Sequence, residues 1–84
     1  MPKARLIEAR WMRPHRGRRG VELRYADGSR RFVGHNGILT LGEAAKLLKT
    51  YPLAITRMGE RDKITIRNGH DSFARVSVSS LTDF

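Results

Sequence analysis

Cysteine is absent from this chain of 84 residues, so no disulfide braces it, no thiolate can serve as a nucleophile and no cysteine-based zinc site can form. Large core formers are scarce, with three Phe, two Tyr and one Trp. A chain this short therefore builds one core of modest stability, which a partner or self-association could support. No apolar run approaches the roughly 18 residues that span a bilayer, and Met1-Pro2-Lys3-Ala4-Arg5 is not followed by a signal-type apolar stretch. The expectation is a single cytoplasmic domain over residues 1–84, with no membrane attachment.

Acidic residues are also in short supply: 17 Lys and Arg stand against 8 Asp and Glu, a net charge of +9. The imbalance is concentrated in residues 1–35, where ten basic residues face only Glu8, Glu22 and Asp27. Thirteen of the basic residues are Arg, whose planar fork matches phosphate and carboxylate oxygens two at a time. A high-GC genome enriches Arg without functional reason, but it does not explain the uneven placement.

The chemistry of an enzyme is missing as well. His15, His35, His70 and the carboxylates show no metal-ligand or acid-base spacing, and no HExxH, P-loop or EF-hand pattern occurs. His35-Asn36 and His70-Asp71 lie beside glycines and read as polar loop residues. Neither a cofactor nor catalysis is expected.

What is present is a pattern of short strands. Ile7, Ala9 and Trp11 alternate with Glu8 and Arg10, which predicts a strand over residues 4–12. Arg13-Pro14-His15-Arg16-Gly17-Arg18-Arg19-Gly20 cannot continue it, because proline fixes φ, the glycines loosen the chain and four like charges repel, so residues 13–20 form a basic loop. Val21, Leu23 and Tyr25 then alternate with Glu22 and Arg24, a turn follows at Ala26-Asp27-Gly28-Ser29, and residues 30–33 return as a hairpin. With Asp27-Gly28 as the turn, Leu23 faces Phe32 and Arg24 faces Arg31. Like charges facing each other are a candidate anion-binding feature, although two solvated arginines leaning apart explain them more economically.

Thr40 is placed to N-cap a helix over residues 41–51, with Glu43 completing a capping box. Ala44, Ala45, Leu47 and Leu48 form its apolar face, Lys46 and Lys49 its wet one, and Pro52 marks its stop or the start of the next segment. Residues 53–58 and 63–67 carry β-branched residues at strand spacing around Gly59-Glu60-Arg61-Asp62, which pairs Ile55 with Ile66 and Thr56 with Thr65. Asn68-Gly69 turns the chain again, and residues 73–78 alternate as a final strand. The preferred fold is α+β, a small antiparallel sheet of about five or six strands packed with one main helix near 41–51.

A second organisation competes with this one. Leu39-Thr40-Leu41-Gly42-Glu43-Ala44-Ala45-Lys46-Leu47-Leu48 is similar to the opening helix of excisionase and MerR-type DNA-binding domains. Pro52, Ile55 and Arg57 fall where their recognition helix starts, and Arg75-Val76-Ser77-Val78-Ser79-Ser80-Leu81-Thr82-Asp83-Phe84 resembles the end of their wing. That resemblance implies a winged helix-turn-helix in residues 39–84 preceded by a β-hairpin. Lys49 stands where a turn glycine is usual, Tyr51 where a capping serine is, and Gly59 would interrupt the second helix.

Binding is the function class that remains. Nucleic acid, DNA or RNA, is the leading partner, held by Arg13, Arg16, Arg18 and Arg19 in the loop and Arg24, Arg30 and Arg31 on the hairpin, all expected on one wet surface. Trp11 and Tyr25 are candidates for base stacking, although so small a core needs them inside. The alternative is a protein-binding or inhibitory module, of the kind phages and mobile elements encode, that docks on an acidic or nucleic-acid-binding surface of a partner.

Overall fold

Apolar and charged residues alternate ahead of the arginine loop and produce the first strand. The computed structural model, which describes residues 4–14, 16–61, 63–67 and 74–82, has strand β1 at Leu6–Trp11, β2 at Val21–Tyr25 and β3 at Arg30–Val33. They form one antiparallel sheet in the order β1-β2-β3. Val21, Leu23 and Val33 turn inward and are buried, while Glu8, Arg10, Glu22, Arg24, Arg30 and Phe32 alternate onto the other face.

The hairpin register differs by one residue from the two-residue turn expected of Asp27-Gly28. Leu23 faces Arg31 and Arg24 faces Arg30, not Phe32 and Arg31. The loop holds three residues, because Tyr25 N–H donates to the Ser29 carbonyl at 3.0 Å and Gly28, at φ +88°, donates its N–H to the Tyr25 carbonyl at 3.0 Å. This is the next commonest hairpin geometry, a turn closed by a left-handed glycine. Asp27 Oδ1 accepts from the Ser29 N–H at 2.9 Å and from its hydroxyl. The shift carries Phe32 to the outer face, where it is 59% exposed.

Strand β4 (Ile38–Thr40) leads directly into helix α1 (Leu41–Leu47). The capping box forms as expected: Glu43 N–H donates to Thr40 Oγ1 at 3.1 Å and Thr40 N–H donates to Glu43 Oε1 at 2.8 Å. The helix is shorter than the predicted 41–51 because Lys49 adopts φ 58°. Its N–H donates to the Lys46 carbonyl at 3.3 Å and that of Thr50 to the Ala45 carbonyl at 2.8 Å, the bonding of a Schellman cap with lysine in glycine's conformation.

Residues 53–58 are not a strand. Helix α2 runs from Pro52 to Glu60, so the expected turn at residues 59–62 and the pairing of Ile55 with Ile66 and Thr56 with Thr65 do not exist. Pro52 occupies the first turn, where its missing N–H is of no consequence. Ile55 is fully buried, and Met58 packs beside the core one turn later. Thr56 donates its hydroxyl to the Pro52 carbonyl at 3.3 Å, which seats a β-branched residue on the helix.

Strand β5 (Ile66–Arg67) and strand β6 (Arg75–Ser77) complete a second antiparallel sheet in the order β4-β6-β5. Val76 faces both Leu39 and Ile66. The last strand ends at Ser77, earlier than the predicted 73–78, because Val78 begins a short helix α3 (Val78–Leu81). The expected turn at Asn68-Gly69, and Phe73, lie outside the described residues. The architecture is thus α+β, with, among the described residues, two antiparallel three-stranded sheets and three helices around one cluster that includes Leu23, Leu39, Ile55, Val76 and Leu81. No helix among the described residues is long and apolar enough to cross a membrane.

Thr40→Ala is expected to lower stability by about 1 kcal/mol through loss of the cap, and Ile55→Ala by roughly 2–5 kcal/mol through loss of a core side chain, both read from urea unfolding. The two Ser29 hydrogen bonds hold the Asp27 carboxyl below its ordinary value of 3.8. The stabilisation they give is therefore present at neutral pH and is lost only as pH falls through that lowered value. An NMR titration of Asp27 that found an ordinary or raised pKa would contradict this turn geometry.

Candidate nucleic-acid interface

The ladder between β1 and β2 extends one pair beyond the strands, since Met12 N–H donates to the Gly20 carbonyl at 3.0 Å. The loop proper is residues 13–19. Its tip reverses through Arg16 at φ 54° and Gly17 at φ 75°; consecutive positive φ values belong to tight turns. Arg16 and Arg18 are exposed and make no ion pair among the described residues. Arg19 is pulled back: its Nε donates to the Met12 carbonyl at 3.3 Å, and its guanidinium lies 5.3 Å from the centre of the Trp11 ring, within cation–π range.

Gly20 brings this loop against the connection between β3 and β4. A Cβ at residue 20 would sit 2.8 Å from the Val33 carbonyl oxygen and 3.5 Å from Gly34 Cα, so only glycine permits the approach. The connection, residues 34–37, is closed by the Gly37 N–H donating to the Gly34 carbonyl at 2.9 Å. Arg16, Arg18 and Arg19 on one side and this turn on the other enclose a cleft of about 690 Å³ with no acidic residue among the described residues of its lining. Three like charges around one space raise the local potential and favour an anion there.

The other predicted residues lie elsewhere, and the seven arginines do not share one surface. Arg13 lines a separate recess with Arg10 and Glu22. Arg24 is 3.7 Å from Glu8 on the outer face of the first sheet, with Arg30 facing it across the hairpin. The like-charged pair is therefore Arg24 with Arg30, and Glu8 offsets it. Arg31 alternates to the opposite face, where it lies 3.7 Å from Glu43 Oε2. Exposed pairs of this length are worth little individually, but each occupies a cation that a ligand would otherwise meet. Glu22, 6% exposed, is 3.3 Å from Arg10, close enough for electrostatic attraction although its Oε1 makes no well-directed hydrogen bond.

Trp11 and Tyr25, the candidates for stacking, are partly buried against the core, and Arg19 lies over the Trp11 ring. His15, His70 and Asp71 lie outside the described residues. The residues that sequence reasoning passed over are Gly34, His35, Asn36 and Gly37, which look like an ordinary polar turn until the fold sets them beside the arginines. His35 Nδ1 is buried without a hydrogen-bond partner. Exposed Tyr51, Leu53, Arg57 and Arg61 on and around α2 form a further surface that the strand reading could not have assembled. Comparison with protein families, with curated proteins and with solved structures finds no match to this chain.

Gly20→Ala is expected to cost roughly 1–3 kcal/mol by forcing the loop off the Val33 carbonyl. Arg18→Ala, on an exposed side chain, is expected to leave stability within about 0.5 kcal/mol. Equal urea midpoints for the two variants would show that the loop does not depend on this close approach.

Proposed function

We propose that this protein binds nucleic acid, gripping the backbone with Arg16, Arg18 and Arg19 and presenting α2 to a groove of duplex DNA. The observation that carries the proposal is the gathering of these three arginines in one cleft, which among the described residues has no acidic lining and no carboxylate paired with any of them. Cations left unneutralised by their own protein are the ones that release counterions from a polyanion.

The second half favours the duplex form. Its order, β4, α1, α2, β5, β6 with pairing β4-β6-β5, is compatible with a winged helix-turn-helix and supports that reading. The segments that resemble excisionase and MerR-type domains fall on these elements: residues 39–48 on β4 and α1, Pro52, Ile55 and Arg57 on α2, and residues 75–82 on β6 and α3. In such folds the second helix enters the major groove with its N-terminal residues at the bases. Here Tyr51 and Leu53, 58% and 54% exposed, stand at that end, where apolar groups can meet a thymine methyl. Arg57 is exposed on the same helix one turn further on. At the positions that depart from that pattern, Lys49 takes a left-handed cap, Tyr51 caps α2 without a side-chain hydrogen bond and the helix continues through Gly59.

A protein partner is the competing reading, favoured by Phe32 and Ile7, 59% and 51% exposed on the first sheet. Anisotropy titrations decide between the two. Duplex DNA is expected to bind with an affinity that falls steeply with salt, and replacing Arg16, Arg18 and Arg19 with Ala is expected to lower the slope of log K against log salt by about one per arginine without unfolding the chain. Arg57→Ala is expected to weaken duplex binding more than single-strand binding. Absence of binding to DNA or RNA of any form at low salt would overturn the proposal, and capture of one acidic protein that survives high salt would support the competitor.

A further inference from the structure

We infer that the cleft between residues 16–20 and 34–37 is a directional seat for one phosphate group, and not merely part of a diffuse positive field. The inference rests on the nucleic-acid reading and deepens it by naming the chemistry that the cleft recognises. Arg16, Arg18 and Arg19 line it, the first two with forked N–H donors not engaged in an ion pair, and no carboxylate among the described residues lines it with them. A carboxylate ligand has two oxygens and could not occupy so many donors, whereas a phosphate presents three or four.

The opposite wall is built for the same kind of ligand. The backbone N–H groups of His35 and Asn36, at the centre of the turn, make no backbone hydrogen bond among the described residues. Gly34 has open space where a Cβ would be, so an anion can come close to the main chain. His35, whose Nδ1 is buried without a hydrogen-bond partner among the described residues, stands in this wall. The volume of about 690 Å³ exceeds what one phosphate fills and leaves room for attached sugar.

A seat and a diffuse field respond differently to ion identity. In NMR titrations at constant ionic strength, inorganic phosphate is expected to shift the amides of Gly20, His35 and Asn36 saturably, whereas chloride is expected to leave them unmoved. Arg18→Ala is expected to weaken this binding about tenfold, the loss of one charge-assisted hydrogen bond. Arg18→Lys, which keeps the charge but not the fork, is expected to weaken it too, at an unchanged urea midpoint. A dinucleotide that binds through its phosphodiester would assign the seat to the interior of a strand, and binding of a nucleoside 5′-monophosphate alone would assign it to a strand end. Chloride acting like phosphate, or shifts spread over Arg24, Arg30 and Arg31, would overturn the inference. Phosphate bound in the cleft of a protein that binds no nucleic acid would keep the seat and end the reading of the previous section. Nucleic acid bound with the cleft amides indifferent to phosphate would do the reverse.

Discussion

The rest of the structure depends on the close packing of helix α1 between the two sheets. Ala44 and Ala45 are almost wholly buried and present no bulk beyond a methyl group, so the helix backbone can approach both β1 and β6 closely. Leu47 adds the apolar area that makes the contact favourable, at about 25 cal/mol for each Å² removed from water. Glu43 ties the start of this helix in two directions, with one oxygen on the Thr40 N–H and the other near Arg31 of β3. A carboxylate used both as a cap and as a counter-ion couples the helix start to the first sheet.

That arrangement sorts the arginines by role. Arg24 and Arg31 of the hairpin lie near Glu8 and Glu43 because β-strand alternation and the helix start place them there, so each has a carboxylate 3.7 Å away. Those at the loop tip are beyond the reach of any strand-borne acid. The tip reverses through positive φ values at Arg16 and Gly17, at a backbone cost of about 1–2 kcal/mol for the non-glycine residue. Strain and uncompensated charge held at one place are features that binding sites tolerate and cores do not.

Local features were legible where chemistry and structure act within a few residues. The capping box at Thr40 and Glu43, the apolar face of α1, the strands on both sides of the basic loop and the loop itself follow from spacing alone. The α2 segment was not legible. Leu53-Ala54-Ile55-Thr56 satisfies strand alternation as well as helix packing, and only the burial of Ile55 together with Met58, one turn apart, chooses the helix. The hairpin register was lost by one residue because Asp27-Gly28 serves two-residue and three-residue loops alike, and the hydrogen bonds of Tyr25 with Ser29 and Gly28 decide between them.

The sequence by itself determined a small α+β domain with its positive charge in the first half, because composition and short-range periodicity are properties of neighbouring residues. Only the tertiary structure decided which arginines are free, that Gly20 lets residues 34–37 close a cleft with them, and that residues 52–60 are helical. Each of these depends on groups far apart in the chain being brought within a few ångströms, and the energy that does so comes from burying a shared core, which no local window contains.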